Sequence, residues 1–233
     1  MLGSGAPFLP ARVISSVDET PGLRAIRLAV APSIAASHRE AGQFVEVRLP
    51  GHVGGGYFAL ANAPDGEAIE LLVKRGEGLP DELASLPLGA LVETTPAMGA
   101  GFPVAAMRGR DVLLFATGSG IAPIRAVLQA LVQDRASYGR IDLFFGVRTS
   151  GELPYAADLE AFERQGVRVH RVISRPDRSD RSHARWVQER FREELPPVGN
   201  AEACLCGLEG MIRGVSEALE EAGLRKDRIH LNL

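Results

Sequence analysis

The string Ala116-Thr117-Gly118-Ser119-Gly120-Ile121-Ala122-Pro123 is the segment of this 233-residue chain most suited to chemistry. It stands where an apolar run, Val112–Ala116, hands over to a helical pattern opening with a proline, a residue the first helical turn accepts. Glycines at such a junction let the backbone approach a ligand closely and adopt strained dihedrals. The helix start that follows offers unpaired N–H groups and a partial positive charge, which suits a phosphate or diphosphate. Taken alone, two glycines in a strand–helix turn equally mark a tight turn and nothing more.

The second candidate group is the pair Cys204 and Cys206, the only thiols in the chain. One residue apart, they face opposite sides if they lie on a strand. A structural disulfide between them is disfavoured, and a four-cysteine iron–sulfur cluster cannot be built from one chain. No metal site is read from the sequence, so redox chemistry has to come from an organic cofactor or another subunit. His170 and His183 have no recognisable partner and read as surface residues.

The elements that position these residues fall into two regimes. Up to residue 108 the chain reads as β structure: Ala11–Val17, Leu23–Ala29, Gln43–Leu49, Tyr57–Ala61, Ile69–Lys74 and Leu91–Thr95 are short β-branched or alternating runs. Pro21-Gly22, Pro50-Gly51, Gly54-Gly55-Gly56 and Pro64-Asp65-Gly66 punctuate them. Six short strands at this spacing predict a closed antiparallel barrel, interrupted by a helical turn or two around Asp81–Leu86. From Gly109 onward the rhythm changes. Strands at Val112–Ala116, Ile141–Val147, Val167–Ile173, Ala203–Cys206 and Ile229–Leu231 alternate with helices at Pro123–Asp134, Pro154–Gln165, Trp186–Glu194 and Met211–Ala222. That alternation predicts a parallel sheet with its ligand at the carboxyl ends of the strands. The expected division is therefore residues 1–108, a β-barrel domain, and 109–233, an α/β domain.

Composition is that of a globular protein, with 45% hydrophobic and 24% charged residues. No apolar run reaches the roughly 20 residues that span a bilayer, and Met1–Pro10 lacks the pattern of a signal peptide; the expected location is the cytoplasm. The net charge is −3. Nine arginines fall between Arg164 and Arg192, either a solvated face balanced by neighbouring acids or a contact for an acidic partner. Neutral balance and few interleaved aromatics disfavour nucleic acid.

The longer string from Ala116 to Arg125 closely resembles the nucleotide-binding turn of the ferredoxin–NADP reductase superfamily. Further matches follow in the right order. Phe145-Gly146-Val147-Arg148 resembles the next strand end, Tyr155–Leu159 the helix after it, and Cys206-Gly207-Leu208-Glu209-Gly210-Met211 the C-G-x-x-x-M segment. Gly42-Gln43-Phe44 resembles the strand entry P-G-Q-F/Y of the first domain. Nearest in pattern is the branch of plant and bacterial FAD/NAD(P)-binding oxidoreductases that includes a protein of ripening kiwifruit.

This resemblance implies an N-terminal six-stranded flavin-type barrel, a C-terminal nucleotide-binding domain, and a flavoprotein reductase that passes electrons from NAD(P)H through FAD to a separate acceptor. That acceptor would be a ferredoxin- or flavodoxin-like protein or a small molecule. It implies that Thr117, Gly118, Ser119, Gly120, Ile121, Ala122 and Pro123 carry the dinucleotide diphosphate. Cys206 would sit beside the nicotinamide as the catalytic residue, with Gly207, Leu208 and Met211 around it. Ser174 and Arg175 would meet the 2′-phosphate of NADP, which is slightly favoured over NAD. For the flavin it implies Tyr57, Phe58, Ala59 and Leu60 on one strand, Leu72, Val73 and Lys74 along the ring, and Gly78 at the phosphates.

The flavin strand also departs from the family pattern R-x-Y-S/T. Gly56 stands in place of the arginine and Ala59 in place of the hydroxyl residue, while Phe58 keeps the stacking surface. Gly76-Glu77-Gly78-Leu79-Pro80-Asp81 offers glycines without a hydroxyl and adds carboxylates. FAD is the favoured flavin and FMN the lesser alternative. The other reading is a nucleotide-binding electron-transfer or regulatory subunit whose flavin binding is weakened or lost.

Overall fold

Alternating residues and turn glycines in the first part give six strands: β1 (Leu9–Thr20), β2 (Leu23–Ala29), β3 (Phe44–Arg48), β4 (Gly56–Ala59), β5 (Ala68–Lys74) and β6 (Leu91–Thr94). The computed structural model describes residues 6–64, 66–176 and 185–232; His183 lies outside them. The six strands form one antiparallel sheet in the order β4-β3-β6-β1-β2-β5. Its inner face buries Val13, Ile26, Leu28, Val45, Leu60 and Ile69 among others, all at or below 2% exposure. Two short helices, α1 (Pro32–Ala35) and α2 (Leu79–Ala84), sit in its connections.

The ladder does not close into the expected barrel. The outer strands β4 and β5 meet at an isolated bridge, Leu60 to Leu71, and at a hydrogen bond from the Ala61 N–H to the Glu70 carbonyl, 2.8 Å. The strand β4 is only four residues long, and Pro64 just beyond it has no N–H with which to continue a ladder.

The second part forms a parallel sheet of β7 (Asp111–Thr117), β8 (Ile141–Val147), β9 (Val167–Ile173), β10 (Ala201–Cys206) and β11 (Ile229–Leu231), in the order β11-β10-β7-β8-β9. Helices α3 (Ile121–Gln133) and α4 (Ala156–Arg164) cover one face, and α5 (Val187–Glu194) and α6 (Glu209–Glu221) the other. The central strand β7 shows why its sequence is uninterruptedly apolar. Val112, Leu114 and Ala116 face the α3 side, Leu113 and Phe115 the α5–α6 side, and all five are fully buried. The α3-side core also takes in Leu23, Ala25, Ala61 and Leu72 from the first sheet and Phe102 and Met107 from the connection between the sheets, so the two sheets share one apolar seam.

Three arginines of the arginine-rich stretch pair with acids. Arg171 forks onto Glu163 at 2.7 and 2.9 Å, Arg190 pairs with Glu193 and Glu194, and Arg192 reaches Glu221 at 2.9 Å. His170 is no surface residue. Its Nε2 lies 3.1 Å from Asp142 and its ring stacks on Phe144 at 4.4 Å. Asp142 projects from the neighbouring strand β8, a partner that sequence order could not supply.

Candidate nucleotide and flavin site

From β7 the chain proceeds outward to β8 and β9, then returns to the other side of β7 for β10 and β11. The carboxyl ends of β7 and β10 therefore border the point where strand order reverses, which is where open α/β sheets bind ligands. Register places Ala116 directly beside Cys206, so Thr117 and Gly207 open side by side into that crevice.

The turn after β7 is built around backbone clearance. Thr117 is extended, Gly118 takes φ +53° with open space beyond its Cα, and one 3-10 turn leads through Gly120 into α3. A side chain on Gly120 would strike the Cys206 carbonyl, with the Gly207 Cα only 2.8 Å away. Gly207 has φ +148°, and a Cβ there would lie 2.9 Å from the Thr117 backbone nitrogen. The Thr117 Oγ1 accepts a hydrogen bond from the Leu208 N–H at 2.9 Å. Turn and Cys-Gly segment are thus one interlocked unit. No side chain caps the start of α3, and a helix N-terminus of this kind suits an anion. Ser119 lies in that turn, and Ile121, Ala122 and Pro123 are buried behind it in the first turn of the helix.

Cys206 is part-buried at the end of β10. Burial pushes its thiol up to about 11, against the pull of a hydrogen bond with Asn232, so the group is a neutral thiol near neutral pH. Met211 packs behind Gly207, and Leu208 is 72% exposed at the crevice mouth. Cys204 is fully buried, its thiol pushed well up by desolvation; it belongs to the core. At the end of β9, the Ser174 N–H donates to the Val147 carbonyl at 3.0 Å and the Arg175 N–H to the Arg148 carbonyl at 2.7 Å. That pinning leaves the Arg175 side chain exposed on the carboxyl rim.

Sequence reading passed over Trp186. It precedes α5, its N–H held by Glu189 at 3.1 Å and its side chain 56% exposed. The adjoining Val187 presses on Gly146, where a Cβ would come within 2.7 Å of Val187 Cγ2 and 3.1 Å of Thr117 Cγ2. The exposed Trp186 thus directly precedes a residue packed on Gly146 beside Thr117. The signal was available as the chain's one tryptophan, just before a helix that starts at the carboxyl end of the sheet.

On the first sheet, β5 is an edge. Arg75 bonds Gly22 across the β2–β5 ladder, so antiparallel alternation turns the backbone groups of Leu72 and Lys74 outward. Leu60, Leu72 and Val73 are buried in the cores, and of the three only Leu72 turns its backbone to the open edge, whereas Lys74 is exposed. Tyr57 is 52% exposed with its ring edge-on to Phe44 at 5.9 Å. Phe58 turns back along its own strand: a Cβ on Gly56 would lie 3.0 Å from Phe58 Cε2 and 3.2 Å from Leu79 Cδ2. Ala59 follows it and contributes only its backbone and a methyl group.

An outward backbone edge at Leu72 and Lys74 fits the rim of a planar flavin ring. Gly76 and Gly78, with open space over both and φ +72° at Gly78, leave room for phosphates. Charge there is less favourable. Asp81 and Glu82 stand in the first turn of α2, and Arg75 is already shared between Asp18 at 3.2 Å and Asp81 at 3.7 Å.

The Oxidoreductase NAD-binding domain family matches residues 114–217. Over 197 residues the chain is 29% identical to Sulfhydrogenase 1 subunit gamma of Pyrococcus furiosus, covering 82% of this chain and 67% of that one. It is 29% identical over 158 residues to a ferredoxin–NADP reductase of Spirulina, covering 62% of this chain and 54% of the relative. The solved cytochrome P450 reductase of Amycolatopsis superposes with a TM-score of 0.83 at 25% identity, covering 97% of this chain and 69% of that one. No helix among the described residues is long and apolar enough to cross a membrane. Motif order, the interlocked crevice and these likenesses agree: residues 114–217 match an oxidoreductase NAD-binding domain, and the chain is similar to ferredoxin–NADP reductase-like oxidoreductases.

Proposed function

We propose that this protein is an NAD(P)H-dependent flavoprotein reductase, with residues 1–108 as the flavin domain, residues 109–233 as the nucleotide domain, and the cytoplasm as its location. One observation carries the reading: the Thr117 hydroxyl holds the Leu208 N–H at 2.9 Å, joining the phosphate turn to the segment bearing Cys206. The turn from Thr117 to Pro123 would bind the dinucleotide diphosphate through backbone N–H groups. Cys206, kept as a neutral thiol, would press against the nicotinamide, with Gly207 allowing close approach and Met211 behind. Trp186 would offer its face to the adenine end, and Arg175 a fork for a 2′-phosphate, which favours NADP.

Held there, a flavin would supply two-electron redox chemistry between the nicotinamide and a further acceptor. The chain's own contribution is alignment and exclusion of water. The exposed Tyr57 would offer its face to the ring with Phe58 packed beneath the strand, the backbone at Leu72 and Lys74 would meet its edge, and Gly78 the phosphates. The similarity to a sulfhydrogenase gamma subunit and to ferredoxin–NADP reductase favours a partner protein, ferredoxin- or flavodoxin-like, as the onward acceptor.

The test is reconstitution with FAD, followed by absorbance near ~450 nm, where oxidised flavin absorbs, and anaerobic bleaching by NADPH or NADH. Bleaching within seconds supports the reading. The specific observation against it is Gly56 in place of an arginine; a chain that binds NADPH but takes up no flavin would instead be the nucleotide-binding subunit of an electron-transfer assembly.

A further inference from the structure

We propose that Arg125 is a positioning residue that sets the spacing between the nucleotide crevice and the flavin edge; the inference rests on the NAD(P)H–flavin reading above. Arg125 lies early in α3, one turn beyond the phosphate turn. Its Nη1 donates to the Ala61 carbonyl at 2.7 Å and to Glu70 Oε1 at 3.1 Å. Ala61 and Glu70 are the residues whose 2.8 Å backbone bond joins the ends of β4 and β5. One guanidinium therefore ties the helix that starts in the nucleotide crevice to the junction of the two strands that border the flavin surface.

Two further contacts hold the guanidinium. Its Nε donates to Asp158 on α4 at 2.6 Å, and its carbon lies 4.2 Å from the centre of the Tyr155 ring. Tyr155 in turn donates its hydroxyl to Glu70 Oε1 at 3.0 Å and its backbone N–H to Glu19 at 2.7 Å. It does so from φ +56°, a conformation costly for a bulky side chain and maintained only where its surroundings fix it. One turn further along α3, Gln129 Oε1 accepts the Ala63 N–H at 2.8 Å. Two successive turns of the same helix thus grip residues 61–63.

Packing alone does not hold this end of the seam. Clefts of about 260 and 320 Å³ flank Arg125 and Glu70 on either side. Side-chain exposure is 11% at Arg125 and 14% at Glu70, so the pair works in a poorly solvated setting where a planar, multiply bonded cation fixes orientation better than an ammonium. Hydride transfer depends steeply on donor–acceptor distance, and a misplacement of about 1 Å costs on the order of 100-fold.

The experiment compares wild type, Arg125→Lys, Arg125→Met and Glu70→Gln in the full chain. Anaerobic stopped-flow gives the limiting flavin-reduction rate and the NADPH dissociation constant separately; amide exchange of the flavin-free chain reports Ala61 and Ala63. Expected are a drop of about 30-fold or more in limiting rate for Arg125→Met, partial recovery with lysine, and an NADPH constant within about threefold of wild type. Exchange at Ala61 and Ala63 should rise at least about tenfold in Arg125→Met. Limiting rates within twofold of wild type in Arg125→Met and Glu70→Gln overturn the proposal. Should Arg125→Met fail to fold, Arg125→Lys and Glu70→Gln decide it by the same criterion. A wild-type chain that reduces no flavin overturns the functional reading and this inference together, an outcome recognised because wild type itself is inert.

Discussion

Gly120 and Cys206 meet backbone to backbone at the floor of the crevice, with no room between them for a methyl group. The Gly120 dihedrals, φ −62° and ψ −10°, are ordinary helical values, so glycine is required there for clearance and not for an unusual conformation. Gly120→Ala should force the phosphate turn away from β10 and stretch the Thr117–Leu208 bond. Overpacking of this kind costs roughly 1–3 kcal/mol. The expected outcome is loss of about tenfold or more in NADPH affinity with a lowered unfolding midpoint, read by fluorescence titration and urea denaturation. Unchanged affinity would show that the turn can bind a dinucleotide without its contact to Cys206.

How far the sequence discloses this site depends on the range of the interactions. The phosphate turn, the strand before it and the helix after it are contiguous, and local pattern was sufficient to read them. The Cys206-Gly207 partner came from motif order, because pairing of β10 with β7 is a tertiary fact. Arg125 stood in the recognised string, yet its role did not show. Its partners Ala61, Glu70, Tyr155 and Asp158 come from three other elements, and no periodicity links them. His170 was misread for the same reason, its carboxylate lying on an adjacent strand. Barrel closure was overestimated because strand count says nothing of how short β4 is.

Cys206 gives a pH prediction. With the thiol raised from 9.0 to about 11 by burial, folding favours its protonated form. That contribution is fully present below about pH 9 and is lost as pH rises through about 11. The stability difference between wild type and Cys206→Ser should therefore be constant up to about pH 9 and shift against wild type above it, by at most about 2–3 kcal/mol. Urea denaturation at a series of pH values measures this. In the same variant, flavin reduction should slow about tenfold while NADPH affinity changes little, since a thiol contacting the nicotinamide acts on alignment more than on binding. Unaltered stopped-flow reduction would remove Cys206 from the catalytic role.

Arg175 tests nucleotide choice. Its backbone is pinned to Arg148 at 2.7 Å while its side chain stays exposed at the rim, so truncation leaves the fold intact. A charge-assisted bond to a 2′-phosphate is worth roughly 1.5–3 kcal/mol. Arg175→Ala should raise the NADPH dissociation constant by about tenfold or more and leave that for NADH within about twofold. Equal effects on both nucleotides, or a wild-type preference for NADH, would make Arg175 a surface residue.

Gly56 tests where the flavin phosphates lie. The Phe58 ring and Leu79 stand 3.0 and 3.2 Å from the position of a Cβ at residue 56, contacts that need a shift of only a few tenths of an ångström. Restoring a cation by Gly56→Arg should therefore cost little stability. It should also offset Asp81 and Glu82 in the first turn of α2. Riboflavin carries no phosphate, so its affinity is the internal control. If β4 runs beside the flavin phosphates, Gly56→Arg tightens FAD by about tenfold and leaves riboflavin unchanged, as measured by quenching of flavin fluorescence. Equal tightening of both would place the new arginine against the ring, and no change in either would put the phosphates elsewhere on the sheet.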